Sequence, residues 1–311
     1  MKIVCYFVLV AGIVCVTASA EADTLVFLLG GQSNMAGVGA HPGDDPIPAP
    51  YNVPQTDVKF WNYGPDVQSG VNNPGVGTGW IDLQTGFGYT TGHFGPEITF
   101  GDRLKELYPD DDIYLVKEGI SGTELYLRWN PDGSGWVYNT FKARVHAALA
   151  NLTAAGKNPK VAGMIWMQGE SDAIPVHSGL YKDRLTNFVQ TVRTEFNTPD
   201  MRFVSGRILP TFGQPADNAL VRDALMTLDA EVGNAGWVNT DDLQLAYSGH
   251  YGTAGQLELG RRFANEFASV PEPGVTTLTA IGLLCLLPRK ARCMQSCIRR
   301  RYKHTRTTCR R

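Results

Sequence analysis

The chain has 311 residues and a formal net charge of −2, but its two ends hold many of the basic residues. Between residues 21 and 270 there are 29 acidic and 17 basic residues, a net charge of −12. Nucleic-acid binding needs a basic face, so this body is not expected to bind nucleic acid. All six cysteines lie outside it, which excludes a disulfide framework, a cysteine nucleophile and a thiolate metal site there.

The first 20 residues have the pattern of an export signal. Lys2 is followed by an apolar run over residues 3–16 and then by Ala18, Ser19 and Ala20. A positive start, an apolar segment and small residues predict a signal peptide over residues 1–20 that is removed after Ala20. The apolar run is shorter than the ~20 residues that a membrane span needs.

Short apolar runs alternate with helical patterns along the body. The runs predict buried strands at residues 24–29, 113–116, 161–167, 203–209 and 237–238. Apolar residues at three- and four-residue spacing predict helices at residues 96–107, 138–155, 181–196, 219–232 and 254–267. This alternation predicts one α/β domain, with a mostly parallel sheet of about five strands and helices on both faces.

Residues 37–95 break the alternation. The segment is rich in Gly, Pro, Asn and Asp and has no clear periodicity, which predicts an irregular segment that is either functional itself or an excursion that covers a site. Four tryptophans lie in or beside loop-like segments, where they either stack on sugar rings or anchor the loops. They are Trp61, Trp80, Trp129 and Trp136.

Residues with chemical potential follow the predicted strands. The first strand leads into GGQSNMAG, where Ser33 would project from the carboxyl edge of the sheet. This is not the G-x-S-x-G elbow, because Met35 occupies the place of the second glycine. GISGT follows the second strand and QGESD the third, and His250 precedes the last helix.

Four blocks in this order, GGQSNMAG, GISGT, WMQGESD and GHYGTAGQLELGRRFA, cover nearly the whole body. They resemble the SGNH-hydrolase superfamily, and within it the carbohydrate-esterase family that contains sialate O-acetylesterases and acetylxylan esterases. The resemblance implies a flavodoxin-like three-layer α/β/α sandwich. It also implies a serine esterase that removes O-acetyl groups from a carbohydrate. We expect no cofactor and no metal, since neither a metal-ligand spacing nor a phosphate loop is present.

The resemblance also implies roles for individual residues. Ser33 would be the nucleophile and His250 its general base, because an imidazole titrates near neutral pH. The Ser33 N–H, the Gly122 N–H and the Gln168 side-chain amide would form the oxyanion hole. Three further polar residues are expected to contact the substrate. They are Gln32, Asn34 and Glu170, the last of which would otherwise orient Gln168.

One position departs from the family pattern. Members usually have an aspartate three residues before the histidine, and here that residue is Tyr247. Asp242 or Asp241 would replace it if the loop folds back, or a backbone carbonyl would orient His250 in a Ser–His pair. The alternative is a catalytically impaired, carbohydrate-binding surface protein on the same scaffold. A lipase-like enzyme is disfavoured by the acidic, glycine-rich and asparagine-rich insertions.

The C-terminal 41 residues resemble a PEP-CTERM sorting signal. Val-Pro-Glu-Pro-Gly at residues 270–274 precedes an apolar stretch at residues 275–287 and a basic cluster that begins at Arg289. We therefore expect an esterase domain at residues 21–270 and a sorting signal with a basic tail at residues 271–311. A sorting peptidase would be a partner of this tail after transient membrane anchoring. The mature protein would be extracellular or attached to the cell surface.

Overall fold

The computed structural model describes residues 22–43, 45–62, 77–90 and 92–268. The predicted signal peptide at residues 1–20 and the predicted sorting signal at residues 271–311 lie outside these ranges. Within them, no helix has both the length and the hydrophobicity to cross a membrane.

A sheet of seven strands forms the centre of the domain. The strands in chain order are β1 (Thr24–Gly31), β2 (Gln55–Asn62), β3 (Gly79–Leu83), β4 (Asp112–Gly119), β5 (Pro159–Met167), β6 (Arg202–Gly206) and β7 (Ala235–Val238). Their spatial order is β3-β2-β4-β1-β5-β6-β7. All neighbours run parallel except β3, which is antiparallel to β2. The mostly parallel sheet is confirmed.

Helices cover both faces of this sheet. They are α1 (Ser33–Ala36), α2 (Glu97–Leu107), α3 (Trp136–Ala154), α4 (His177–Glu195), α5 (Pro215–Thr227), α6 (Asp229–Val232) and α7 (Thr253–Ala268), with a 3-10 turn at Glu170–Asp172. On one face, the Phe27 ring of β1 packs edge-on against Phe100 of α2 and Phe267 of α7. On the other, Trp166 of β5 packs on Phe188 of α4. The three-layer α/β/α sandwich is therefore confirmed.

The strand count differs from the prediction of about five. The five predicted strands are present as β1 and β4–β7, and their order β4-β1-β5-β6-β7 is the flavodoxin-like order. The two additional strands, β2 and β3, come from the segment that we expected to be irregular. They form an edge of the sheet where many side chains are only partly buried, so the sequence lacks the continuous apolar run of a central strand.

This topology determines where a ligand can bind. The chain passes from β1 to β4 on one side and then returns to β5 on the other, so the winding direction changes at β1. Open α/β sheets bind ligands in the crevice beyond the carboxyl ends of the strands at such a point. Ser33 follows β1 there, and Gln168 follows β5.

Candidate active site

Ser33 is the first residue of α1, a four-residue helix that begins two residues after β1 ends. Its side chain is almost fully buried. Gly37 ends the helix in the left-handed conformation with φ 74°. A Cβ at that position would lie 1.7 Å from the Phe94 carbonyl oxygen, so this turn requires glycine. The GGQSNMAG block thus forms a strand, a turn and a short helix that starts at the serine.

His250 lies on a small hairpin of β8 (Leu245–Tyr247) and β9 (His250–Tyr251). Ser248 and Gly249 form its turn, and the φ of 76° at Gly249 explains the glycine. Tyr247 pairs with His250 across the hairpin, and their rings lie 5.0 Å apart. The Tyr247 hydroxyl donates to the Val38 carbonyl oxygen at 3.3 Å. The tyrosine at the usual aspartate position therefore packs against the imidazole and ties the hairpin to the segment after α1.

Asn34 joins the serine segment to the histidine hairpin. Its Nδ2 donates to the Gly249 carbonyl oxygen at 3.0 Å, and its Oδ1 accepts from the Tyr251 N–H at 3.2 Å. These bonds attach the residue after Ser33 to the residues on both sides of His250. The two segments that carry the predicted nucleophile and base therefore meet at one edge of the sheet.

Gln168 has no free donor for an oxyanion. Its Nε2 lies 2.6 Å from Asp172 Oδ2, 3.1 Å from the Thr123 carbonyl oxygen and 3.2 Å from Gln32 Oε1. Its Oε1 accepts from the Tyr181 hydroxyl at 3.0 Å. An amide nitrogen has two hydrogens, and here three internal acceptors compete for them. The structure thus does not present the Gln168 amide as the oxyanion donor that the resemblance implied.

Gln32 offers the donor that Gln168 does not. Its Oε1 accepts from Gln168 Nε2 at 3.2 Å and from the Ser171 N–H at 3.3 Å, which fixes the orientation of the amide. Among the described residues, Gln32 Nε2 makes no hydrogen bond. That N–H₂ group precedes Ser33 in the chain and remains free to bind a ligand.

Gly122 is in the loop after β4, in the left-handed conformation with φ 69°. The next residue, Thr123, is held at three points. Its hydroxyl donates to the Ile120 carbonyl oxygen at 2.6 Å and accepts from Trp129 Nε1 at 3.1 Å, while its carbonyl oxygen accepts from Gln168. These bonds fix the backbone beside Gly122 and place the GISGT loop next to the end of β5.

Asp242 and Asp241 do not reach His250. Both carboxylate oxygens of Asp242 accept from the Arg262 guanidinium, at 2.7 and 2.8 Å. Those hydrogen bonds, followed by a backbone hydrogen bond of its own, lower the pKa of Asp242 to about 2. Asp241 forms a similar two-point pair with Arg222, at 2.9 Å for each contact. Each aspartate is therefore a surface ion-pair partner. Its carboxylate binds an arginine and is not directed toward His250.

Burial dominates the electrostatics of His250. Desolvation lowers the pKa of its imidazole, and the backbone of Ser248 partly offsets this by raising the pKa. A raised pKa is the effect of a carbonyl oxygen that faces a ring N–H. The structure shows no hydrogen bond at this nitrogen, because His250 Nδ1 is buried with no hydrogen-bond partner among the described residues. Among the described residues, no carboxylate forms an ion pair or a hydrogen bond with this imidazole.

The other two residues expected at the substrate, Asn34 and Glu170, contact each other. Asn34 is fully buried and its amide is fully engaged with the hairpin and with Glu170 Oε1, which accepts from Nδ2 at 3.0 Å. Burial raises the pKa of Glu170 to about 6. Glu170 Oε2 is buried with no hydrogen-bond partner among the described residues. Both residues therefore support the hairpin, and Glu170 does not orient Gln168.

Sequence reasoning missed Asp172, which organises this edge of the sheet. Besides its bond with Gln168, its carboxylate accepts from the Leu125 N–H at 2.7 Å and the Tyr126 N–H at 3.0 Å. Burial raises its pKa, and these three hydrogen bonds act in the opposite direction. The aspartate of the QGESD block was visible in the sequence, but only the fold shows that it holds the loop after β4.

The tryptophans divide by burial. Trp61 and Trp129 lie in the core and anchor their segments, and Trp80 is partly buried against Trp61. Trp136 is 43% exposed.

Within the described ranges, no group of three or more His, Cys, Asp or Glu side chains is placed to hold a metal ion.

The lowered pKa of His250 predicts the pH dependence of a reaction that uses this imidazole as general base. A general base must be neutral to accept a proton. Burial lowers the pKa of this imidazole, so it stays neutral at pH values somewhat below its usual pKa of 6.5. We expect kcat/KM to fall with decreasing pH, with a midpoint below 6.5. Glu170 titrates in the same range, so the profile should be measured for wild type and for Glu170→Gln. A midpoint above 6.5, or a profile that becomes flat in Glu170→Gln, would contradict the assignment to His250.

The fold and this edge of the sheet define an SGNH-type hydrolase. A profile of the family described as "carbohydrate esterase, sialic acid-specific acetylesterase" matches residues 23–269. The chain belongs to this family, and it is a carboxylic ester hydrolase. A comparison with curated protein sequences found no significant match.

Solved structures share the fold at low sequence identity. A protein of Arabidopsis thaliana is 21% identical with a TM-score of 0.63, and the match covers 79% of this chain and 98% of that one. A carbohydrate acetylesterase from Xanthomonas citri is 19% identical with a TM-score of 0.56, over 77% of this chain and 54% of that one. NanS is 17% identical with a TM-score of 0.54, and the match covers 79% of this chain and 96% of that one.

Proposed function

We propose that this protein removes O-acetyl groups from a carbohydrate through an acetyl-enzyme on Ser33, with His250 as general base. The observation that carries the proposal is a pair of hydrogen bonds that join the two segments: Asn34 donates to the Gly249 carbonyl oxygen and accepts from the Tyr251 N–H. The family also supports it, as do a carbohydrate acetylesterase from Xanthomonas citri and NanS, which share the fold.

The reaction would proceed in two halves. Ser33 Oγ attacks the acetyl carbonyl carbon while the His250 imidazole takes the hydroxyl proton. The tetrahedral intermediate then breaks its bond to the sugar oxygen, which leaves with that proton as a hydroxyl group. Water attacks the resulting acetyl-enzyme with the same base, and acetate departs as Ser33 recovers its proton.

The developing positive charge on His250 needs a partner, which we assign to the Ser248 carbonyl. This backbone group raises the pKa of the imidazole. A Ser–His pair oriented by a backbone carbonyl thus replaces the three-residue arrangement with an aspartate. Tyr247 contributes packing, since its ring lies 5.0 Å from the imidazole.

For the oxyanion we propose the N–H groups of Ser33 and Gly122 together with Gln32 Nε2. Gln168 then acts as a positioning residue that holds Gln32, Thr123 and Asp172. Preorganised donors of this kind stabilise the charge because they do not have to reorient during the reaction.

Gln32→Ala tests this donor. Loss of one oxyanion donor should lower kcat by about 10²-fold or more. KM should change little, whereas Tm should fall slightly because the Ser171 N–H loses its acceptor Gln32 Oε1. Gln168→Ala is the matched variant, and it should also lower Tm since it leaves Asp172 and Tyr181 without their partner. Unchanged kcat in Gln32→Ala would contradict the assignment.

Acetate release tests the function as a whole. Wild-type protein should release acetate from p-nitrophenyl acetate, from acetylated xylan or from O-acetylated sialic acid, and should lose activity as the acyl chain lengthens. Binding to these carbohydrates without acetate release would favour the catalytically impaired binding protein. The one feature that suggests this alternative is the tyrosine, Tyr247, at the usual aspartate position. A preference for long acyl chains would favour a lipase-like enzyme.

The two ends lead to a proposal on location. We propose export through residues 1–20 and sorting through residues 271–311, with a processing peptidase as partner. The support is the signal pattern at the N-terminus and the Pro-Glu-Pro motif, apolar stretch and basic cluster at the C-terminus. Cell fractionation and mass spectrometry of both termini of the mature protein would test each part.

A further inference from the structure

A second site lies beside the loop that follows β4. It is a cavity of about 380 Å³ that is lined by Glu124, Leu127, Arg128, Ser134 and Trp136. Cavities of this size hold small ligands. Leu127 is 54% exposed and Trp136 43% exposed, although both are large apolar side chains. The cavity therefore combines an aromatic face and an aliphatic wall with charged and hydroxyl groups.

The two charged side chains that line this cavity neutralise each other. The Arg128 guanidinium pairs with the carboxylate of Glu124, four residues earlier in the chain, so neither charge is free to select an ion. Both groups retain donors and acceptors for a neutral, hydroxyl-rich ligand. The body around it is acidic, at −12, which disfavours an anionic ligand.

The indole face of Trp136 is open. In the described part of the chain, no aromatic ring or cation is within stacking distance of Trp136. Trp237 is similarly exposed, at 36%, but the Arg207 guanidinium lies 5.0 Å from its ring centre. An uncovered indole beside polar groups suits a ligand with one apolar face and hydroxyls at its edge, which is the chemistry of a pyranose ring.

The cavity is rigid and close to the proposed oxyanion hole. Glu124 is two residues from Gly122, so their Cα atoms are at most about 7 Å apart. The N–H groups of Leu125 and Tyr126 are held by Asp172, which also holds Gln168. One loop thus carries both an oxyanion donor and the wall of this cavity.

We infer that this cavity is a subsite for a neutral sugar unit of the substrate, next to the unit whose acetyl group is removed. The inference rests on the proposed esterase function and extends it. The preferred substrate is then an acetylated neutral oligosaccharide or polysaccharide rather than an acetylated sialic acid monosaccharide.

Steady-state kinetics of Trp136→Ala test the subsite. Loss of the indole face should raise KM for acetylated xylotetraose about tenfold more than KM for p-nitrophenyl acetate, which has no second sugar unit to occupy the cavity. Trp136→Tyr should restore most of the difference, because it keeps an aromatic face. Trp237→Ala is the matched control and should change neither KM. Equal effects of Trp136→Ala on both substrates would overturn the inference.

A binding measurement separates this inference from the proposed function. Ser33→Ala protein should bind acetylated xylotetraose, and adding Trp136→Ala should weaken that binding about tenfold, as measured by calorimetry. Undiminished binding would overturn the subsite, whatever the activity of the wild type. Esterase activity that persists in Ser33→Ala would overturn the proposed mechanism and leave the binding result intact. Tighter binding of O-acetylated sialic acid than of acetylated xylotetraose would overturn the preference for a neutral chain.

Discussion

Ser33→Ala should lower kcat for acetate release by about 10⁴- to 10⁶-fold, since no other group in the proposed mechanism can form the acyl-enzyme. The residual rate would come from the oxyanion donors and substrate binding, which the variant retains. Removal of one hydroxyl from a nearly buried serine should leave Tm and the circular dichroism spectrum close to those of the wild type.

Ser121→Ala is the matched control, because it removes a hydroxyl from the GISGT loop at the same edge of the sheet. It should retain most of the wild-type activity. A fluorophosphonate should add covalently to one serine of the wild type, and peptide mass spectrometry should identify that serine as Ser33. Wild-type turnover by Ser33→Ala, or labelling at another serine, would contradict the proposed nucleophile.

The central strands were predictable because burial on both faces leaves a continuous apolar run in the sequence. β1 and β5 are such strands, and their ends in the sequence predict that Ser33 and Gln168 lie at one edge of the sheet. β2 and β3 were not predictable in the same way. Their partly exposed side chains include polar residues, and their pairing depends on contacts such as the ring packing of Trp61 on Trp80.

Individual roles in the site were harder to predict than its position. Whether an amide can donate depends on how many acceptors surround it, and the three around Gln168 come from separate segments of the chain. Asp242 was a reasonable candidate by sequence distance, but Arg262, 20 residues further on, binds both of its oxygens. Such competition between partners is a property of the folded chain, and spacing alone does not reveal it.

Arg144→Met should lower the free energy of unfolding by about 3–5 kcal/mol, because it removes one partner of a buried ion pair. Arg144 of α3 lies 3.0 Å from Glu118 of β4, and both side chains are fully buried. Lys117, the preceding residue on β4, lies 2.8 Å from Glu97 of α2. Successive strand residues point to opposite faces, so the two pairs attach a helix to each side of β4.

The loss of unfolding free energy in Arg144→Met should increase as the pH rises. Burial raises the pKa of Glu118, and the nearby Arg144 lowers it, so removal of the arginine should raise it further. A carboxyl group whose folded pKa exceeds its unfolded pKa stabilises the fold at low pH, and this stabilisation decreases as pH rises. Urea unfolding should therefore show a larger deficit for Arg144→Met at about pH 8 than at about pH 5.5.

Glu118→Leu combined with Arg144→Met provides the control. Replacement of both partners by apolar side chains leaves no unpaired charge, so the double variant should be more stable than Arg144→Met and should lose its additional pH dependence. A single variant as stable as the wild type would mean that water reaches Glu118 and that the pair does not hold α3 to the sheet. A double variant as unstable as the single one would show that Arg144 acts through its bond to the Lys117 carbonyl oxygen, at 2.7 Å, rather than through its charge.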